Sequence, residues 1–355
     1  MAAVHNKETD NLPEPDCIPG CLHPRRTYDL VGHETAEKLF IKSIDSGRMH
    51  HGWLITGVPG IGKATLAYRM IRYALGGKPL LQNSLDVPKT DIVAQKLESL
   101  GHGNFKLIRI PYDHKSKKLR TEIPVNSIRK LSDFFRSTAA EDNALRICLI
   151  DSADNLNLNS QNALLKLLEE PPARSLVILL SSSPGRLLST IRSRCIGLSL
   201  KSISDREIET WLSSRVNATQ NEIDSVVSLS RGAPGKAISL FNNFDRVIKP
   251  LGRYLKSLSN VNNSLDFNLI NDLALAKNIS QRKLFWEALQ DTLHSQAIYS
   301  CTGDWKGAFE PIKIIKTSDE WESLWRKTIE MQQLEIKLNM DKKTVLIDIL
   351  NAIGP

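Results

Sequence analysis

The chain has 355 residues, enough for two or three domains at roughly 100–200 residues each. Its composition, 41% hydrophobic and 24% charged residues, is ordinary for a globular cytoplasmic protein. No apolar run approaches the roughly 18–20 residues that span a bilayer, so we expect no membrane segment. The net charge of +8 favours polyanionic partners, although a basic protein without such a partner is the alternative.

Residues 1–20 have the composition of a polar tail. They contain no apolar core of a secretory signal, and four acidic residues stand against Lys7 alone. The resulting charge of −3 leaves +11 for the rest of the chain. We predict that residues 1–20 are disordered. Cys17 and Cys21 form a C-x3-C pair, but a zinc site there is disfavoured because a structural site needs four ligands.

A glycine-rich loop between an apolar strand and a helix predicts a phosphate-binding site. The strand is Trp53–Thr56, the helix is Thr65–Ala74, and the loop reads GVPGIGKAT. Backbone N–H groups would hold phosphate, and Lys63 would reach the outer phosphates. The next residue is Ala64, where the usual Ser or Thr hydroxyl ligates Mg²⁺. The candidate nucleotide-binding residues are Gly57, Gly60, Ile61, Gly62, Lys63, Ala64, Thr65 and Asp151.

Asp151 follows the apolar run Arg146–Ile150, which predicts a second buried strand. An Asp in this place fits a Walker B element, in which it orients Mg²⁺ and its water. A turn capped by Asp151 is the alternative interpretation. Active ATPases of this type carry a Glu directly after the Asp, whereas this chain has Ser152. Asp154 could not replace that Glu without a different geometry, so little or no metal-assisted catalysis is expected.

Strands alternate with helical patterns up to about Ser202. Further strands are predicted at Phe105–Ile110 and Ser175–Leu180, and this alternation indicates a parallel sheet covered on both faces. Cys148 lies in an apolar strand and is predicted to be a small core residue. Residues Asp113–Thr121 are basic and predict a solvated hairpin or loop, with a nucleic-acid contact as the alternative.

Residues after Ser202 predict helices only. Ser204 and Glu207 have the spacing of a helix capping box. Two or three short helices follow, and the rest is helical in pattern, with breaks near Asn260–Asn263 and at Gly303. The predicted fold class is therefore α/β followed by all-α. Its expected parts are a tail over 1–20, a P-loop parallel-sheet domain over 21–202, a helical lid domain over 203–243 and a helical collar domain over 244–355.

The segment Asp151–Cys195 contains the most specific motifs. It includes NALLKLLEEPP from Asn162, SSSP from Ser181 and TIRSRC from Thr190. Together they resemble the clamp-loader branch of AAA+ proteins and, within it, the delta-prime subunits of bacterial DNA polymerase III clamp loaders, most of all those of alphaproteobacteria. Further similar stretches are Pro24–Glu34, Met49–Gly57 and Leu338–Asp341.

This resemblance implies roles for matched residues. The family's Ser-Arg-Cys arginine points at the γ-phosphate of ATP in the neighbouring subunit, which implies that Arg194 is an arginine finger acting in trans. Such fingers are worth about 10³–10⁵ in rate in GTPases. A surface cation is the alternative for Arg194. Gly235 stands where motor subunits place a sensor arginine. Together with Ala64 and Ser152, Gly235 implies a degenerate ATPase. Its ATP binding is expected to be weak or vestigial.

The resemblance also implies an assembly. The expected partners are gamma/tau motor and delta subunits, the sliding clamp and, through the complex, primer-template DNA, with the polymerase activity in another subunit. Residues Gly76–Gly103 lack the cysteines of the zinc module that many of these subunits carry, so no zinc or other metal site is predicted. The principal alternative is an active AAA+ motor ATPase of the gamma/tau type, and a P-loop kinase is disfavoured.

Overall fold

The chain divides into two compact units, Met1–Ile203 and Ser204–Pro355. The first combines strands and helices and the second is helical, which confirms the predicted class of α/β followed by all-α. The finer division into a lid over 203–243 and a collar over 244–355 stays a prediction. The structure is a computed structural model that describes residues 14–18, 21–47, 49–136, 144–258, 266–314 and 316–354.

The first unit is built on a five-stranded parallel sheet. Its strands and those of a small hairpin are β1 (Gly52–Thr56), β2 (Phe105–Ile108), β3 (Tyr112–Asp113), β4 (Lys118–Leu119), β5 (Arg146–Ile150), β6 (Ser175–Ser181) and β7 (Ile196–Ser199). The order across the sheet is β2-β5-β6-β1-β7, and β3 pairs only with β4. Strand β6 is buried along its whole length, as expected where helices cover both faces. The parallel register brings the loops after β1, β5 and β6 to one edge of the sheet.

Helices of the first unit pack against this sheet. They are α1 (Glu34–Asp45), α2 (Lys63–Ala74), α3 (Ile92–Glu98), α4 (Val125–Arg136), α5 (Leu158–Glu169) and α6 (Ser189–Arg192). The core between β5, β6, α4 and α5 contains Cys148, which is fully buried as predicted. The predicted hairpin within Asp113–Thr121 is confirmed, since β3 and β4 pair antiparallel.

Some element boundaries differ from those predicted. Helix α2 begins two residues earlier, at Lys63, and β2 ends two residues earlier, at Ile108. Strand β7 was not predicted at all. It is a four-residue edge strand that pairs only with β1. Its run of Ile196-Gly197-Leu198-Ser199 is too short for its alternation to stand out.

Residues Glu14–Ile18 correct the prediction of a disordered tail up to residue 20. The Asp16 carboxylate is almost fully buried, where it pairs with Arg109 and lies 3.1 Å from His23 Nε2. The ion pair with Arg109, which is distant in sequence, holds the segment, and composition alone does not reveal it. The remainder of the predicted tail lies outside the described residues.

The second unit contains eight α-helices among its described residues. They are α7 (Asp205–Ser213), α8 (Gln220–Ser230), α9 (Pro234–Asn242), α10 (Lys249–Ser257), α11 (Phe267–Ala274), α12 (Ile279–Thr302), α13 (Ser318–Leu338) and α14 (Lys342–Ile353). The predicted capping box is confirmed, with Ser204 and Glu207 satisfying each other's backbone N–H. Gly303 ends α12 with a φ of 71°, as predicted. The predicted break at Asn260–Asn263 lies outside the described residues.

Candidate nucleotide site and arginine finger

The glycine-rich loop joins β1 to α2 at the carboxyl edge of the sheet. Gly57 and Gly62 adopt φ values of 152° and 108°. A Cβ at Gly57 would lie 3.0 Å from the Leu200 carbonyl oxygen, and one at Gly62 would lie 3.0 Å from the Leu30 side chain. Both conformation and space therefore require glycine. The backbone cradle of a phosphate-binding loop is retained.

The remaining loop residues take the positions that the motif predicts. Ile61 is fully buried, and its carbonyl oxygen lies 3.0 Å from His33 Nε2. Ala64 and Thr65 are half-buried in the first turn of α2. Because the Ala64 side chain ends at Cβ, no hydroxyl stands at the place of the usual Mg²⁺ ligand.

The Lys63 ammonium forms hydrogen bonds within the glycine-rich loop and to Ser182. Its Nζ donates to the carbonyl oxygens of Gly57 (2.7 Å) and Val58 (2.9 Å) and to the Ser182 hydroxyl (2.9 Å). Burial lowers the pKa of Lys63 to about 8, although nearby carboxylates, Asp151 first among them, oppose this shift. A nucleotide phosphate would have to replace three hydrogen bonds to engage the Lys63 ammonium.

Asp151 lies directly after β5 and close enough to Lys63 for the two charges to interact. Burial raises the pKa of Asp151 to about 7, and repulsion from Asp16 adds to the rise, whereas attraction to Lys63 and Arg109 opposes it. Metal ligands must be deprotonated. Binding of Mg²⁺ near neutral pH would therefore have to release a proton from part of the Asp151 population.

Asp154 binds the ends of β5 and β6 together through a network that sequence patterns did not predict. It accepts hydrogen bonds from the Ser181 hydroxyl (2.5 Å), the Ser182 backbone N–H (2.7 Å) and the Ser152 hydroxyl (2.9 Å). Burial acts to raise the pKa of Asp154, but these bonds and one from Ser183 outweigh it and lower the pKa. Asp154 is thus engaged as a structural acceptor, and the run of serines after β6 was its only sequence signal.

Arg194 lies near the amino-terminal ends of β1 and β7, whereas the glycine-rich loop follows the carboxyl end of β1. Arg194 lies two residues before the start of β7, and a Cβ at Gly52, the first residue of β1, would lie 3.1 Å from the Arg194 carbonyl oxygen. The loop begins after the other end of β1, so about 13 Å of strand separates the two at roughly 3.3 Å per residue. Strand β1 thus keeps Arg194 apart from Lys63 and Asp151 of the same chain.

The Arg194 guanidinium is partly exposed and weakly held. It donates to the Thr190 carbonyl oxygen (3.0 Å) and pairs with Glu169, the last residue of α5, at 2.9 Å. About a third of the Arg194 side chain and nearly half of the Glu169 side chain are exposed, at 36% and 47%. Ion pairs of this exposure contribute at most about 1 kcal/mol, so a more strongly charged anion could displace Glu169.

Comparison with known proteins finds similar chains over the first unit. Residues 32–204 match the family described as DNA polymerase III, delta subunit. DNA polymerase III subunit delta' of Escherichia coli (strain K12) is 33% identical over 205 residues, 58% of each chain. The delta' subunit of Bacillus subtilis (strain 168) is 30% identical over 204 residues, 55% of this chain and 58% of the relative. Over this segment the chain is similar to the delta' subunits of bacterial DNA polymerase III.

The delta-prime-like chain also resembles motor subunits. The tau/gamma subunit of Haemophilus influenzae is 27% identical over 288 residues, 79% of this chain and 39% of the relative. The chain therefore spans less than three fifths of the length of the relatives named here. The alphaproteobacterial lineage stays a prediction.

The parts of the chain that the structure describes contain no group of three or more His, Cys, Asp or Glu side chains that could hold a metal ion. The Cys17 thiol donates to the Cys21 carbonyl oxygen at 3.4 Å. None of the helices found there is both long enough and apolar enough to cross a membrane.

Proposed function

We propose that this chain is a delta-prime-like subunit of a bacterial clamp loader, that its own ATPase is weak or absent, and that it supplies Arg194 to ATP bound by a neighbouring motor subunit. The observation that carries the proposal is the position of Arg194. Arg194 lies at the opposite end of β1 from the glycine-rich loop of its own chain, and its guanidinium is partly exposed. A charge placed there acts on a phosphate only if another subunit brings that phosphate to it.

The chemistry of the chain's own nucleotide site supports a degenerate ATPase. Ala64 offers no hydroxyl to a metal, and Ser152 stands in place of the water-polarising Glu. The nearby Asp154 is occupied by its serine neighbours. Electrostatic groups of this kind supply most of the rate enhancement in phosphoryl transfer. Their combined loss predicts turnover near background.

The site fits nucleotide phosphates better than it fits Mg²⁺. The residues from Gly57 to Thr65 retain backbone N–H groups at the start of α2, and these would hold phosphate oxygens. For a metal, the site offers Asp151, whose raised pKa disfavours coordination near neutral pH. ATP binding is therefore expected to be weak and to depend little on Mg²⁺.

The second unit supports a role in assembly. Helix α13 exposes apolar side chains near its end, with Ile336 75% and Leu338 67% exposed. Exposed apolar clusters are typical of protein interfaces. We assign these side chains to a helical collar formed with gamma/tau motor and delta subunits in the cytoplasm. The complex would load the sliding clamp onto primer-template DNA.

The experiment that tests this function measures ATP hydrolysis by the purified chain, by a motor subunit and by their mixture. We expect background turnover from the chain alone and increased turnover by the motor subunit when the chain is added. The second candidate function, an active motor subunit, is favoured by the 288-residue alignment with tau/gamma. Robust hydrolysis by the isolated chain that is lost in Lys63→Ala would establish that alternative.

A further inference from the structure

The hairpin formed by β3 and β4 is a strongly basic surface feature of the first unit. Residues 112–120 are here called the basic hairpin. They carry four exposed cations against one carboxylate, that of Asp113; the cations are Lys115, Lys117, Lys118 and Arg120. Neither the sheet nor the nucleotide site requires any of these cations.

The basic hairpin has a defined shape in the absence of a partner. Strand pairing joins Tyr112 to Leu119 and Asp113 to Lys118. The Asp113 carboxylate accepts the backbone N–H groups of Lys115 (2.9 Å) and Ser116 (3.4 Å), which closes the turn. A surface that is already ordered loses less conformational entropy when it binds.

The three lysines of the turn have no ion-pair partner among the described residues. Asp113, the carboxylate of the hairpin, is used in the turn and lies 3.6 Å from Arg120. Some exposed lysines of the second unit are instead paired with carboxylates: Lys249 with Asp245, Lys256 with Glu310 and Lys306 with Asp304. The positive charge of the hairpin is thus left uncompensated by the chain itself.

We propose that the basic hairpin binds the sugar–phosphate backbone of double-stranded DNA. Lysines on flexible stems suit contacts to phosphate, which position a protein on a duplex without reading its sequence. A two-stranded ribbon, with strands about 4.8 Å apart, fits the edge of a major groove about 12 Å wide.

An acidic protein surface is a less suitable partner for this hairpin. Protein interfaces are centred on buried aromatic or apolar anchors with a polar rim. Leu119 is the exposed large apolar side chain of the hairpin. Its exposure of 37% is too small for an anchor of such an interface. The proposal deepens the proposed function by naming the surface that meets the duplex part of primer-template DNA.

The test uses the full chain and a fluorescently labelled blunt DNA duplex of arbitrary sequence, without ATP or motor subunits. The triple variant Lys115→Ala/Lys117→Ala/Lys118→Ala is compared with Lys38→Ala/Lys327→Ala/Lys337→Ala, which removes the same charge from exposed lysines elsewhere. Affinity is measured by anisotropy between 50 and 200 mM salt. Thermal unfolding confirms that both variants retain the fold.

We expect the hairpin variant to bind DNA at least about tenfold more weakly at 50 mM salt, while the control stays within about twofold of the unsubstituted chain. The slope of log K against log salt concentration should become shallower by about 2–3, at roughly 0.9 per lost phosphate contact. A second duplex of scrambled sequence should give the same affinities.

Three results would overturn the proposal. If the unsubstituted chain does not bind the duplex, the hairpin is a solvated surface. Equal losses in the two triple variants would indicate general charge attraction. If labelled polyglutamate is titrated in the same anisotropy assay, loss of its binding in the hairpin variant with unchanged DNA binding would indicate an acidic protein partner. Because ATP and motor subunits are absent, none of these outcomes bears on the arginine-finger proposal, and failure of that proposal would leave this measurement intact.

Discussion

Protonation of Asp151 is a residue-scale property of this site that pH-dependent stability can test. The pKa of Asp151 is raised to about 7 in the fold from an ordinary value of 3.8. The folded chain therefore keeps a proton at pH values where the unfolded chain has released it. Stability falls as the pH rises from about 4 to about 7 and is constant above that range, as far as this group is concerned.

Asp151→Asn should remove that pH dependence. We expect the variant to match the unsubstituted chain in stability near pH 4 and to exceed it at pH 8 by an amount on the order of 2–4 kcal/mol. Urea unfolding of both proteins at several pH values measures the difference. Parallel stability profiles across this range would show that Asp151 is ionised in the fold and available to a metal.

A buried ion pair links α12 to α13 at the scale of secondary-structure elements. Arg282 Nε lies 2.8 Å from Glu335, and both side chains are more than nine-tenths buried. Glu335 also accepts the Trp286 indole N–H at 3.2 Å. Breaking such a pair leaves a buried charge without compensation, whereas an exposed carboxylate such as Glu330 carries no comparable constraint.

We expect Glu335→Ala to destabilise the second unit by about 3–5 kcal/mol, because Arg282 loses its counter-charge. Glu330→Ala, on the exposed surface of the same helix, should change stability by less than about 0.5 kcal/mol. Denaturant unfolding followed by tryptophan fluorescence compares the two variants. Similar small effects from both would mean that water reaches Arg282 when Glu335 is removed.

The elements and the site differ in how far the sequence predicted them. The bounds of β5 were predicted correctly because a continuous apolar run ends sharply at Asp151. Strand β7 escaped prediction because four residues at a sheet edge give little periodic signal. The glycine-rich loop follows from local motif chemistry, whereas the Asp154 network depends on which loops the parallel register brings together. Local patterns do not encode that proximity.

Assembly of the complex is the property of the whole molecule that the second unit is proposed to supply. The double substitution Ile336→Asp/Leu338→Asp places charge on the exposed apolar end of α13. We expect it to abolish co-purification with motor and delta subunits without loss of the fold, because both side chains are already exposed.

A matched control is Leu80→Asp/Leu81→Asp, which charges two leucines of the first unit that are 65% and 68% exposed. This variant should assemble normally. Size-exclusion chromatography of the mixed subunits reports the outcome. Normal assembly of the α13 variant would remove that surface from the collar.

The trans action of Arg194 is the central claim for the molecule as a whole. Its most direct test is steady-state ATP turnover of the reconstituted, DNA-stimulated complex containing Arg194→Ala, with Arg192→Ala as control for loss of a neighbouring exposed arginine. The account predicts that Arg194→Ala assembles normally and lowers kcat at least tenfold with little change in KM, because the guanidinium stabilises charge that develops in the transition state. The control should retain most of its activity. Unchanged kcat for Arg194→Ala at saturating subunit concentrations would contradict the account and leave Arg194 as a surface cation paired with Glu169.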